Sequence, residues 1–330
     1  MHWFRDYLSN RQQITSISNH NSKRATVSTG VPQGSVLGPI LFLIFINDLP
    51  TISDSLFFSL FADDSCLSLT DKDLFELITS ANIEIDKFYE WCIANRLSIN
   101  TIKTYYLLFT SKSTANLPPL VIRNHSTYDI IKRVSHTKFL GVIYDEKLNF
   151  SHHITMLCNR LSRSSSLIYQ LRDVLPIYVL KKLYYAHVYP HIHYCNCIWA
   201  NTYQRHLTPL VLIHKRIIRN IAKAEFLAHT EPLYKNLRIL NIDNIRKMNL
   251  ALMMFKQINT NEFDLTLATP DHQYLTRNRD LLIVPQHRTT LQANSFSIQG
   301  IRTWNDIPNG IKESRTLNSF KIKIKKFLIS

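Results

Sequence analysis

Residues 56–69 read LFFSLFADDSCLSL. Two apolar, aromatic-rich arms lie on either side of Asp63-Asp64, the pattern of a β-hairpin with two carboxylates at its turn. Adjacent aspartates are common in turns for a structural reason, because the short side chain caps the backbone. Here the neighbouring sequence points further. Residues 30–39 read GVPQGSVLGP and hold three of the chain's six glycines, bracketed by Pro32 and Pro39. Such a concentration marks a backbone under special demands. Ser35 is placed to cap a helix, and the apolar residues 36–46 predict a buried one ending near Pro50.

Working outward, Leu74, Leu77, Ile78, Ala81, Ile85, Phe88 and Cys92 recur at spacings of three and four, which predicts an amphipathic helix over 71–95. Residues 105–110, 120–123 and 138–144 are strand-like. The first 150 residues therefore read as an α+β arrangement, a small, mainly antiparallel sheet with two helices. Beyond Asn149 the pattern turns helical, over 154–171, 177–189, 207–224 and 242–258. A weak, polar stretch from 260 to 285 precedes a last helix in which Phe320, Ile324, Phe327 and Leu328 alternate with lysines. Three regions follow: 1–150, a helical basic region 151–259, and a basic C-terminal region 260–330.

Charge divides along the same line. Of 39 basic and 24 acidic side chains, residues 1–150 hold 14 of each sign, so the whole excess of +15 lies in residues 151–330. A surface of that kind suits a polyanionic partner. The longest apolar run, residues 40–46, is far too short to cross a bilayer, and Arg5 and Asp6 stand where a signal peptide would be apolar. The expectation is an intracellular chain without a membrane partner, nucleus and cytoplasm undistinguished. Cys66, Cys92, Cys158, Cys195 and Cys197 lack framework spacing and read as reduced thiols.

A carboxylate pair on apolar strands, a glycine loop feeding a helix, and Lys103 after the next helix form the set that a magnesium-dependent nucleotidyl transferase requires. Hard cations want oxygen ligands, and two ions can activate the attacking hydroxyl while neutralising the leaving pyrophosphate. The sequence resembles the reverse transcriptases of non-LTR retrotransposons. The likeness rests on VPQGSVLGPILFLIFINDLP at 31–50, FADD at 61–64, NRLSIN followed by KT at 95–104, and FLGV at 139–142. TWNDIP at 303–308 and the spacing of Tyr194 and Trp199 also resemble the C-terminal parts of such element proteins.

The resemblance implies a partial palm followed by a helical thumb. It implies Asp63 and Asp64 as the catalytic, magnesium-binding pair, Gln33 and Gly34 along the nascent base pair, and Lys103 near the incoming triphosphate. Phe139, Leu140 and Gly141 are implied as the primer grip, with an RNA template and a DNA primer as partners of 151–330. The family's other aspartate, upstream of the glycine loop, has no counterpart in this chain, nor do the fingers. Asp6 precedes a stretch that already resembles the approach to that loop and does not replace it. The expectation is thus a truncated enzyme that holds Mg2+ weakly or not at all and is inactive alone. A second reading is a non-catalytic nucleic-acid-binding protein derived from such an element.

Two further groups have both a chemical and a plain structural reading. His191, His193, Cys195 and Cys197 would share one face of a strand, but their spacing lacks the loop of a closed zinc site, which argues against zinc. The clusters Lys181-Lys182, His214-Lys215-Arg216 with Arg219, and residues 321–326, together with Tyr184, Tyr185, Tyr189 and Trp199, suit phosphate contacts and occasional stacking on nucleic acid. Singly, the aromatic residues read as core.

Overall fold

The computed structural model describes residues 2–28, 30–32, 34–124, 127–260 and 281–330. The chain forms two compact units, one of Met1–Tyr106 with Lys112–Arg133, the other of Leu107–Ser111 with Val134–Ser330.

The first unit begins with α1 (His2–Leu8) and two short antiparallel pairs, β1 (Arg11–Gln13) with β4 (Ala25–Val27) and β2 (Ser16–Ile17) with β3 (His20–Asn21). Helix α2 (Gly38–Ile46) follows the glycine loop, and the Ser35 hydroxyl accepts the Gly38 amide at 3.1 Å. Its apolar run is not buried as the sequence suggested. Leu43 and Ile44 are 60% and 69% exposed, because no described element covers that face; only Gly38 and Ile46 are enclosed.

The hairpin read from residues 56–69 is present as β5 (Phe57–Phe61) and β6 (Asp64–Ser68), in antiparallel register with Phe61 opposite Asp64. Helix α3 (Leu74–Ala94) then starts at Asp73, whose carboxylate accepts the Phe75 and Glu76 amides at 2.8 and 3.1 Å. Those bonds hold the Asp73 carboxyl below its ordinary pKa, as expected of an N-cap facing orphan helix amides.

Residues 107–110 do not extend the strand expected over 105–110. Only β7 (Tyr105–Tyr106) is paired, in parallel with β10 (Lys132–Arg133), while β8 (Val121–Asn124) pairs antiparallel with β9 (Thr127–Ile130). The sheet structure among the described residues is therefore a set of two-stranded pieces. The buried cluster at the centre of this unit is small, Ile78, Leu120, Ile122 and Ile131, with Ile46, Leu49 and Cys92 buried besides. Asn82 reinforces it by donating to the Pro119 carbonyl and accepting the Val121 amide, pinning α3 to β8.

The second unit opens with the antiparallel hairpin β11 (His136–Phe139) and β12 (Val142–Asp145) and continues in helices. Helix α4 (Ser151–Leu171) buries Ile154, Leu157, Leu161 and Ile168, the three-and-four spacing read from the sequence. Helices α5 (Ile177–His187), α6 (Tyr189–His193) and α7 (Asn196–Trp199) lead to α8 (Gln204–Ala222), which packs along α4. After α9 (Thr230–Leu237) comes α10 (Ile242–Thr260). Helices α11 (Thr290–Ala293), α12 (Phe296–Asn305), α13 (Asn309–Lys312) and α14 (Leu317–Ile329) complete the chain. Trp304 and Phe320 from this last group join α10 residues such as Met254 in one core with α4 and α8. No described helix is long and apolar enough to cross a membrane.

Candidate active site

A two-residue turn, Ala62-Asp63, closes the β5–β6 hairpin, and Ala62 takes a left-handed conformation at φ 51°. Asp63 thus sits in the turn and Asp64 opens β6, both exposed at the tip. The apolar arms force this placement, because strand pairing fixes every residue but those of the turn. Lys103 ends a short 3-10 turn, Thr101–Lys103, where the Asn100 side chain accepts its amide at 3.2 Å, and it too is exposed. Gly34 lies at φ +80° with open space where a Cβ would be, so a ligand could approach this backbone closely. Gln33 lies outside the described residues.

Magnesium needs several oxygen ligands in a near-octahedral shell. Asp63 and Asp64 supply carboxylate oxygens of the right kind, but among the described residues no group of three or more acidic, histidine or cysteine side chains converges to hold a metal. The donors fit the chemistry and not the coordination number.

The implied primer grip lies in the second unit. Phe139 pairs with Val142, leaving Leu140 and Gly141 as a two-residue turn at φ 45° and 85°. Positive φ at both positions is the geometry that matches the twist of the flanking strands. Four side chains anchor this hairpin. The Tyr194 hydroxyl donates to the Leu140 carbonyl, and the Trp199 indole N–H donates to the Tyr194 carbonyl at 2.8 Å. The Ile143 amide donates to His153 Nδ1 at 3.3 Å, which leaves the imidazole proton on Nε2. Buried Asp145 accepts the Lys147, Asn149 and Phe150 amides at 3.0, 3.2 and 2.7 Å, tying β12 to the start of α4.

Burial pushes the His153 pKa down to about 4, with the Arg160 charge adding to it. The spacing of Tyr194 and Trp199 is visible in the sequence, whereas His153 and Asp145 carry no such mark. The mixed apolar and polar stretch 142–153 offers no signal for contacts that depend on how the strand returns into α4.

Residues 1–144 match the family described as reverse transcriptase (RNA-dependent DNA polymerase). Over that span, a little under half of its length, the chain is similar to reverse transcriptases. It is 27% identical over 251 residues to the probable RNA-directed DNA polymerase from transposon X-element of Drosophila melanogaster, covering 74% of this chain and 27% of that protein. It is 24% identical over 270 residues to the RNA-directed DNA polymerase from mobile element jockey of the same fly, covering 77% and 28%. The jockey polymerase of Drosophila funebris is 27% identical over 234 residues, covering 67% and 25%.

The chain thus spans about a quarter of the length of these relatives. The likeness to non-LTR element enzymes read from residues 31–50 and 61–64 is borne out by them, and the α+β reading of a partial palm followed by helices is borne out by the family match and the observed elements. No solved structure matches. Reverse transcriptases use magnesium and bind a nucleic-acid template and primer.

Other residues fall differently from their sequence reading. The segment with His191, His193, Cys195 and Cys197 is two short helices separated by Cys195 at φ 49°, so the shared strand face imagined for these side chains does not exist. His214, read as part of a basic cluster, is fully buried between Tyr184 and Tyr234, whose hydroxyls bond Nε2 and Nδ1 at 2.9 and 3.0 Å. It shares the inward stripe of Leu210, Ile217 and Ile221, and burial pushes its pKa down to about 3. Tyr184 and Trp199 are likewise core residues, whereas Tyr185 reaches the surface.

Proposed function

We propose that this chain carries part of an RNA-directed DNA polymerase of a non-LTR retrotransposon. In the complete active site, the 3′ hydroxyl of a DNA primer attacks an incoming deoxynucleotide on an RNA template. The observation that carries this reading is the exposed Asp63-Asp64 pair at a hairpin tip inside the segment that matches the family. Asp63 would hold the metal, with Asp64 beside it. Gln33 and Gly34 would line the nascent pair, and Lys103 would neutralise phosphate charge. Leu140 and Gly141 would support the primer end on a turn fixed by Tyr194. The basic residues of 151–330 would grip the template and primer through phosphates.

Two adjacent carboxylates make half of a two-metal site, so the isolated 330-residue chain is expected to bind divalent metal weakly and to be inactive until another segment adds a carboxylate. Titration with Mn2+ in place of Mg2+, followed by paramagnetic broadening of backbone amide signals, tests this. Weak, localised broadening around residues 61–65 that disappears in Asp63→Asn with Asp64→Asn is the expected result. Tight binding, or broadening centred elsewhere, would contradict the assignment. The same shortage of ligands favours, as a second reading, a nucleic-acid-binding chain without chemistry of its own.

A further inference from the structure

The notable feature of α5, α6 and α14 is that they carry six lysines, Lys181, Lys182, Lys321, Lys323, Lys325 and Lys326, and no carboxylate. Among the described residues no ion pair neutralises them; Lys323 donates to the Gly310 carbonyl. Rings lie between these charges. On α5, Tyr178 is 65% exposed with the Lys182 ammonium 5.8 Å from its centroid, and Tyr185, two turns on, is 36% exposed with Lys325 of α14 5.7 Å from its centroid. Tyr185, Tyr189 and His193 continue as a chain of rings, with centroids 5.3 and 5.1 Å apart. Burial and then the Lys321 charge hold His193 below its ordinary pKa.

We infer that the strip formed by Tyr178, Lys182, Tyr185, Lys321 and Lys325 binds single-stranded RNA. The inference rests on the reading of the second unit as nucleic-acid-binding and adds where on that unit, and for what form of nucleic acid. Lysine alone would serve duplex and single strand equally, since both present phosphates. Exposed rings set among lysines favour an unpaired strand, whose bases can leave their stack and lie against tyrosine, whereas a duplex keeps its bases inside. RNA is the strand chosen because residues 1–144 of the same chain, outside the strip, match an RNA-dependent polymerase family.

The test is binding of the full chain to a fluorescent 16-nucleotide unstructured RNA, the same sequence as DNA, and a blunt RNA duplex, across a salt series. Tyr178→Ala with Tyr185→Ala is expected to weaken single-stranded RNA about tenfold or more and leave the duplex within about twofold. Tyr185→Phe keeps the ring and should bind as the parent does. Lys321→Gln with Lys325→Gln should flatten the log-log salt slope for the single strand by roughly 1.4, the equivalent of two phosphates.

Circular-dichroism melting separates a folding defect from a lost contact. If the tyrosine pair melts early, Tyr178→Ser alone, at the more exposed position, carries the test. Duplex bound as tightly as single strand, with both pairs of variants unaffected, would overturn the strip while leaving nucleic-acid binding by the second unit intact. Binding to no nucleic acid at all would overturn that wider reading as well. Equal affinity for the DNA strand would overturn the choice of RNA.

Discussion

The hydroxyl of Tyr194 donates a 2.6 Å hydrogen bond to the carbonyl of Leu140, across 54 residues of sequence, and its ring lies 3.2 Å from where a Cβ on Gly141 would stand. One side chain thus fixes both residues of the β11–β12 turn. Trp199 in turn holds the Tyr194 backbone, so the tyrosine-to-tryptophan spacing seen in the sequence is the footprint of a clamp on this turn.

The clamp predicts opposite effects for the two turn residues. Gly141→Ala adds a Cβ at φ +85° against the Tyr194 ring and should cost about 1–2 kcal/mol or more. Leu140→Asn places a residue tolerant of positive φ at 45° and should be neutral or stabilising by up to about 1 kcal/mol. Tyr194→Phe should lose about 0.5–1.5 kcal/mol with the hydrogen bond. Urea unfolding followed by tryptophan fluorescence measures all three, and Gly141→Ala as stable as the parent would refute the clamp.

Two buried histidines predict a pH dependence. The pKa of His153 is lowered to about 4 and that of His214 to about 3, so both are neutral when folded, while in the unfolded chain each takes up a proton near its ordinary value of 6.5. Their contribution to stability is complete above about pH 6.5 and is lost as pH falls toward the folded values. The slope should be about 1.4 kcal/mol per pH unit for each. His153→Gln should halve that slope. A melting temperature that stays flat between pH 6.5 and 4.5 would contradict the burial of both rings.

The partition of charge predicts that nucleic-acid affinity falls steeply with salt. Engaging on the order of four to six phosphates gives a log-log slope of roughly −3 to −5. Charge reversals on the exposed face of α14, such as Lys321→Glu, should weaken binding, whereas Lys103→Glu in the neutral half of the chain should change the slope by about one at most. A slope near zero would reduce the basic excess to a solubility device.

What could be read from the sequence was local. The alternation around Asp63-Asp64 gives the hairpin, and the spacing from Leu74 to Cys92 gives α3, because each pattern is set by the geometry of one element. The apolar run of α2 suggests burial that the structure does not show, since such a run does not disclose whether its covering surface lies in the same chain. The alternation from His191 to Cys197 imitated a strand, whereas Pro190 opens one short helix and Cys195 turns into the next. His214 hid among basic neighbours because its helical phase, and not its chemistry, sends it inward. The contacts that fix the β11–β12 hairpin join residues up to 54 apart, and spacing alone cannot specify which distant side chain arrives.

The most direct test of the central claim is template-directed primer extension with Mg2+. It compares the 330-residue chain with the same chain joined to the upstream segment of a jockey-type polymerase. The expected result is no extension by the chain alone, extension by the joined protein, complete loss in its Asp63→Ala variant, and a slowed reaction in Lys103→Ala, since one substitution removes a metal ligand and the other a charge that neutralises the phosphates. Synthesis that persists in Asp63→Ala would contradict the account. So would robust extension by the unextended chain, which would mean that a carboxylate other than those at the hairpin tip completes its site.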